Sequence, residues 1–186
     1  MSMTNGIAHG VEIYSKKLSE LIVEQPPYIY IHLYLKKVKF LSFYRLFWNF
    51  FIMPFKVGNN LIYSFSSHGS PFLSNQIITI HDLICLEFPK QHRFQYYYFK
   101  YLLPSIIKSS KKIVAISEFT KNEILKYYKL PEDKIEVIYN GVNQLSYFEE
   151  EKTDAEFDEI VQGSPFFLTV GASYPHKNIE NLLLSI

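Results

Sequence analysis

The stretch Gln76-Ile-Ile-Thr-Ile-His-Asp82 is the most direct indication of the fold in this chain of 186 residues. Four β-branched residues in a row predict a buried strand over 76–80. The dipeptide His81-Asp82 follows at once, so we expect two polar side chains at the carboxyl end of that strand.

Strand patterns and helical patterns alternate on both sides of this stretch. Helices are predicted over 11–23, 40–55, 94–108 and 118–128, and further strands over 28–34, 60–65, 112–116 and 135–139. Such alternation is typical of a parallel sheet with crossover helices, so the chain is predicted to have a doubly wound, Rossmann-like α/β fold. Only residues 1–5 precede the first glycine loop, so we expect the first strand of that domain to be missing.

Ligands of doubly wound sheets bind beyond the carboxyl ends of the strands. The polar residues that follow the predicted strands are therefore candidates for a cleft site: His81, Asp82, Ser117, Glu118, Asn140 and Gly141. Ser117 is first of all an N-cap, Asp82 a cap of the next turn, and Asn140-Gly141 a turn. A histidine at a strand end is often a hydrogen-bonded structural residue, so both roles stay open for His81.

The last residues carry a second pattern, Pro165-Phe-Phe-Leu-Thr-Val-Gly-Ala-Ser-Tyr-Pro-His-Lys-Asn-Ile179. Residues 166–170 predict a buried strand, Gly171 a tight turn and Asn178 the N-cap of a helix. Unpaired backbone N–H groups at a helix start favour an anion, and His176 and Lys177 lie at that point. Residues 149–163 are rich in acids and predict a linker or a solvated helix.

The charge, the cysteine count and the glycine spacing each argue for or against a class of protein. A net charge of +1 gives no reason to propose a nucleic-acid partner, and a single cysteine, Cys85, is compatible with a reducing cytoplasm, where we expect the protein. Cys85 follows an apolar run, which favours a packed thiol over a nucleophile. Gly6 and Gly10 do not fit Gly-x-Gly-x-x-Gly, so a dinucleotide-dependent oxidoreductase is a weak alternative.

An aromatic run over 40–55 has three interpretations: a buried helix, which we favour, an interfacial helix on lipid, or a lid over an apolar acceptor. The run is shorter than the roughly 20 apolar residues of a spanning helix. Lysines flank it on both sides, which keeps peripheral membrane contact open.

Five short motifs follow one another along nearly the whole chain. They are Gly10-Val-Glu-Ile-Tyr14, Thr79-Ile-His-Asp-Leu83, Val114-Ala-Ile-Ser-Glu-Phe-Thr-Lys-Asn-Glu-Ile124, Val137-Ile-Tyr-Asn-Gly-Val142 and Leu168-Thr-Val-Gly-Ala-Ser-Tyr-Pro-His-Lys-Asn-Ile179. Each alone is weakly specific. In this order and spacing they resemble the group 1 glycosyltransferases (family GT4, GT-B fold).

The resemblance implies two Rossmann-like domains facing a cleft and transfer from a nucleotide-diphosphate sugar with retention of configuration and no metal. It implies a catalytic His81 near the transferred sugar, and Gly10, His176 and Lys177 at the donor diphosphate. His9 stands where the family usually has a first glycine. The family places Asn140-Gly141 at the domain cleft.

We therefore expect an acceptor-side domain over 1–148, a linker over 149–164 and the start of a donor-binding domain over 165–186. The family's Glu-x7-Glu motif, which holds the donor, belongs to a later part of the donor-binding domain, and we expect that region to be missing, since the chain ends one strand and part of one helix into that domain. The expected parent is a retaining hexosyltransferase of bacterial surface polysaccharide assembly, and this chain alone is expected to be inactive. The alternative is a non-catalytic remnant, or a binding half that pairs with a separately encoded C-terminal half.

Overall fold

The computed structural model describes residues 10–23, 44, 46–141, 165–167 and 177–185. The strand predicted over 28–34, the acidic linker, residues 1–9 and His176 lie outside the described residues. The chain divides into two units, Met1–Asn140 and Gly141–Ile186.

The first unit alternates helices with short parallel strands. The helices are α1 (Gly10–Val23), α2 (Met53–Val57), α3 (Ile84–Glu87), α4 (Arg93–Tyr97), α5 (Leu103–Ser109) and α6 (Glu118–Tyr128), with π-helical turns over Trp48–Ile52 and Tyr98–Leu102 and a 3₁₀ turn over Glu132–Lys134. The strands are β1 (Ile62–Ser64), β2 (Gln76–Ile80), β3 (Lys112–Ala115) and β4 (Ile135–Val137). The described helix of the second unit is α7 (Ile179–Leu184).

The four strands form one sheet in the order β1-β2-β3-β4, and each neighbouring pair is parallel. The predicted α/β fold with a parallel sheet is therefore confirmed. Strand β2 has the predicted bounds, while β1, β3 and β4 are each one or more residues shorter than predicted.

Helices contact both faces of this sheet. On one face Ile78 and Ile80 of β2 align with Ile113 and Ala115 of β3, and all four belong to the main core cluster. Side chains of α5 and α6 also belong to that cluster: Leu103, Ile106, Ile107 and Ile124. On the other face Tyr63 of β1 contacts Tyr14 of α1. Helices on both faces are the arrangement expected of a Rossmann-like domain.

A buried amide fastens the loop after β1 to the core. The Gln76 side chain accepts a hydrogen bond from the Ser70 N–H at 3.0 Å and donates to the Ser70 carbonyl and to the Ser109 hydroxyl. Gly69 lies so close that an added Cβ would stand 2.7 Å from the Gln76 Oε1 atom. Glycine is therefore required at 69 for close approach rather than for backbone freedom.

Two helices contain a π-helical turn that ends two residues before a proline. The Met53 N–H bonds the Trp48 carbonyl and the Leu103 N–H bonds the Tyr98 carbonyl, each five residues back. Pro54 and Pro104 come next in the chain, with no N–H to donate and a ring that crowds the carbonyl four residues earlier. The wider π turn accommodates both effects.

The favoured interpretation of the aromatic run, a buried helix, is wrong in part. The described residues of the run are helical, but Phe47, Phe51 and Phe55 are 51%, 56% and 88% exposed. Asn49 and Met53 supply the buried side instead, because residues four apart share one helix face. Among the described residues, no helix is long and apolar enough to cross a membrane.

The predicted buried strand over 166–170 is not seen at its first two residues. Phe166 and Phe167 are exposed and lie outside any strand, while residues 168–170 are outside the described set.

Candidate active site

His81 is the first residue after β2, and β2 lies between β1 and β3. Its Nε2 atom is 3.0 Å from the carbonyl oxygen of Phe65, which follows β1. The Tyr14 ring stands perpendicular to the imidazole, with ring centroids 5.0 Å apart. The half-buried His81 ring is therefore held between the end of β1 and helix α1 at the carboxyl edge of the sheet.

The ends of β2 and β3 are joined by one threonine. The Thr120 hydroxyl donates to the His81 carbonyl at 3.2 Å and lies 3.0 Å from the Ser117 hydroxyl. Ser117 accepts the Thr120 N–H at 3.1 Å, so it is the N-cap of α6, as predicted. The structure thus brings His81 and Ser117 together, through a residue that the sequence did not single out.

Asp82 and Glu118, two of the predicted site residues, take no part in the contacts around His81. The Asp82 carboxylate accepts the Ile84 N–H at 3.2 Å and caps the next turn. Glu118 is exposed in the first turn of α6, beside a shallow surface depression that Lys112, Lys121 and Glu132 also line. Neither carboxylate has a hydrogen bond to His81 in the described part of the chain.

Asn140 and Gly141 follow β4 and are both exposed. The predicted turn is wrong: neither residue lies in a turn, and an added Cβ on Gly141 would meet nothing within 4 Å. The chain leaves β4 in an irregular segment, so no left-handed conformation is needed there.

The residues proposed for the donor diphosphate are described only in part. Gly10 begins α1, so the predicted glycine loop leads into a helix start. Lys177 is exposed in the second unit, and Asn178 is the N-cap of α7 as predicted. Asn178 adopts a left-handed conformation and its side chain accepts from Asn181 rather than from a backbone N–H.

Cys85 is not part of this arrangement of polar groups. It is buried in α3, and burial raises the pKa of its thiol to about 12. The thiol is therefore protonated at neutral pH and packs as a small apolar side chain, as predicted. Within the described residues no group of three or more His, Cys, Asp or Glu side chains could hold a metal ion.

Three groups that touch His81 are not indicated by the sequence patterns: the Phe65 carbonyl, Tyr14 and Thr120. Thr120 could have been found from its place three residues after an N-cap, at the end of the neighbouring strand. Tyr14 lies on the apolar side of a predicted helix, but its partner is 67 positions away, and no local pattern reports such a contact.

A parallel α/β domain with polar groups gathered at the carboxyl edge belongs to the class of domains that bind a ligand beyond their strands. Comparisons with known proteins narrow that class. Residues 64–144 match the model of Glycosyltransferase Family 4, and this match includes β2, His81, Ser117 and β4. This match confirms the resemblance to the group 1 glycosyltransferases that the motifs indicate.

One relative shows how much of such a protein the chain represents. The chain is 34% identical over 128 residues to the O-antigen chain mannosyltransferase RfbU of Salmonella typhimurium. The alignment covers 69% of this chain and 33% of the relative, so the chain spans about one third of that protein. No solved structure matches the chain.

Proposed function

We propose that this chain is the acceptor-side part of a retaining hexosyltransferase that works in bacterial surface polysaccharide or glycolipid synthesis. The observation that carries the proposal is the position of His81. It directly follows β2, its ring is held by the Phe65 carbonyl, and it lies within the segment that matches the family. The first unit supplies this edge of the cleft, and a donor domain supplies the other.

The proposed reaction breaks the bond between the anomeric carbon and the diphosphate of a GDP- or UDP-hexose. The nucleoside diphosphate leaves with growing negative charge, so a cation beside it stabilises the transition state more than the ground state. Lys177 is proposed for this role, and His176 and Gly10 are proposed as further residues that bind the donor diphosphate. A lysine at this place makes a metal ion unnecessary for charge neutralisation.

The donor and acceptor follow from the relative only at the level of class. A mannose-like or glucose-like sugar is the proposed cargo, since the relative is called a mannosyltransferase. A saccharide or lipid-linked acceptor is proposed on the same ground. We propose that the sugar transfer takes place on the cytoplasmic side of the membrane.

We propose that the aromatic helix touches the membrane from that side. Phe47, Phe51 and Phe55 are spaced four residues apart and exposed, and lysines precede and follow the segment in the sequence. Exposed aromatics with flanking cations suit an interfacial position on an anionic lipid surface. Contact with lipid would bring the cleft close to a lipid-linked acceptor.

A second candidate is a non-catalytic remnant or a binding half that pairs with a separately encoded donor domain. A transfer assay separates the two. The chain is tested alone and as a chimera that replaces the matching segment of the Salmonella relative, with a panel of GDP- and UDP-hexoses and the acceptor of that relative.

We expect no turnover from the chain alone and sugar transfer by the chimera. Turnover by the chain alone would overturn the proposed dependence on a donor domain. A folded chimera that binds a nucleotide-sugar and transfers nothing would favour the remnant.

A further inference from the structure

The imidazole of His81 has one nitrogen committed to the protein. Nε2 lies 3.0 Å from the Phe65 carbonyl oxygen, and a carbonyl can only accept, so Nε2 carries the hydrogen. In the neutral ring the lone pair is then on Nδ1. Among the described residues, Nδ1 of His81 has no hydrogen-bond partner. One nitrogen is fixed and the other is left for a ligand.

Tyr14 contacts both members of this hydrogen bond. Its ring is perpendicular to the His81 ring at 5.0 Å and nearly perpendicular to the Phe65 ring at 6.3 Å. Edge-to-face contacts of this kind are favourable because the positive ring edge meets the negative ring face. The Tyr14 ring therefore restricts rotation of the imidazole about its side-chain bonds and holds the residue that supplies the carbonyl.

The Tyr14 phenol is itself tied to the sheet. Its oxygen lies 3.3 Å from the Tyr63 hydroxyl, which accepts a hydrogen bond from Thr79 at 3.2 Å. Thr79 is completely buried in β2, two residues before His81. Burial raises the pKa of the Tyr14 phenol, so it is neutral throughout the physiological range. The chain Thr79–Tyr63–Tyr14 thus connects the rigid strand to the ring that borders His81.

We infer that Tyr14 and the Phe65 carbonyl are positioning groups for His81, which fix it as the Nε2–H tautomer and leave Nδ1 to accept a hydrogen bond from a substrate hydroxyl. A ring free to rotate would present either nitrogen and lose this selectivity. The identity of the ligand, a sugar with free hydroxyl groups, rests on the proposed function. The assignment of the tautomer depends only on the described contacts of His81.

The tautomer is measured by ¹⁵N NMR of the histidine-labelled full chain at neutral pH. The chain has six histidines, and comparison with His81→Gln assigns the His81 signals. We expect a protonated Nε2 and an unprotonated Nδ1 in the unsubstituted chain. A protonated Nδ1, or a mixture of the two tautomers, in the unsubstituted chain overturns the inference.

Two substitutions at one position separate positioning from stability. Tyr14→Phe keeps the ring and loses the phenol, while Tyr14→Leu loses the ring. We expect the His81 signals to show the pure tautomer in Tyr14→Phe and a mixture in Tyr14→Leu, with the Ile78 and Ile113 methyl signals unchanged in both. A pure tautomer in a folded Tyr14→Leu chain contradicts the role of the ring.

In the chimera described above, Tyr14→Leu is expected to lower kcat by about tenfold, since small misplacements of a catalytic group are costly. Unchanged turnover contradicts the positioning role. A chimera that transfers no sugar, with the expected tautomer in the NMR spectrum, refutes the proposed function and leaves the tautomer assignment intact.

Discussion

The helix over 46–57 and the helix over 93–109 contain the same irregularity but differ in what they bury. Each has a π-helical turn followed by a residue and a proline, Pro54 in the first and Pro104 in the second. After its proline the second helix continues to Ser109 and places Leu103, Ile106 and Ile107 completely inside. The first helix ends at Val57.

The comparison separates two causes that are easily confused. Proline imposes the π turn in both helices because it lacks an N–H and crowds the preceding turn. Burial depends instead on the residues after the proline. Leu103, Ile106 and Ile107 have the i, i+3, i+4 spacing of an apolar stripe, and the short α2 has no room for one.

The difference in burial between the two helices is tested most directly by removing one side chain from each. Ile106→Ala leaves a cavity against β2 and is expected to lower the free energy of unfolding by about 3 kcal/mol. Phe55→Ala removes a side chain that is 88% exposed, with an expected change below about 0.5 kcal/mol. Urea unfolding followed by circular dichroism measures both. Similar losses for the two variants would contradict the assignment of the core.

In the second helix, a side chain donates a hydrogen bond to the backbone carbonyl that the proline leaves without one. The Leu103 N–H bonds the Tyr98 carbonyl and Pro104 has no N–H, so the Phe99 carbonyl lacks the next bond in that register. The Tyr128 hydroxyl donates to this carbonyl at 2.9 Å. No side chain among the described residues donates to the equivalent carbonyl of the first helix, that of Asn49.

Tyr128→Phe is therefore expected to lower the free energy of unfolding by about 1–2 kcal/mol, because an acceptor is left without a partner. Burial raises the pKa of Tyr128, so its neutral phenol stabilises the fold fully below the ordinary tyrosine pKa of about 10. This contribution is lost as the pH rises above that value. Unfolding measured from pH 8 to 11 should show a smaller alkaline loss in Tyr128→Phe than in the unsubstituted chain. Equal stability and equal pH dependence would show that the hydroxyl contributes nothing.

Lipid contact is proposed for the first helix, so its exposed phenylalanines are tested by binding rather than by stability. Phe47→Ser, Phe51→Ser and Phe55→Ser together are expected to lower binding to phosphatidylethanolamine–phosphatidylglycerol vesicles by about tenfold, since apolar area is removed from the interface. Phe94→Ser is the control, because Phe94 is 92% exposed and lies on the second helix, for which no lipid contact is proposed. Cosedimentation measures the bound fraction. The same loss in the control would indicate nonspecific adhesion.

Local patterns in the sequence account for most of the fold. The four β-branched residues over 77–80 identify β2 with its bounds, and Ser117 before an amphipathic run identifies the start of α6. These signals depend on neighbours in the chain. Burial of the aromatic run could not be predicted, because composition does not tell which side of a helix has a packing partner.

The candidate site was predicted only as a set of strand ends. The sequence places His81 and Ser117 at one edge of a parallel sheet, since all carboxyl ends lie there. It does not give the Thr120 bond between them or the Tyr14 ring beside His81, which depend on the register of three strands and the path of α1. Contacts of that range require the folded structure.

The central claim is that His81 acts at the reacting edge of a glycosyltransferase, and turnover of its variant in the chimera tests it most directly. His81→Gln should lower kcat by about 100-fold or more while the variant stays folded. His92→Gln, a matched change at a histidine in the loop before α4, should keep turnover near that of the unsubstituted chimera. Equal turnover in His81→Gln and His92→Gln would contradict the account.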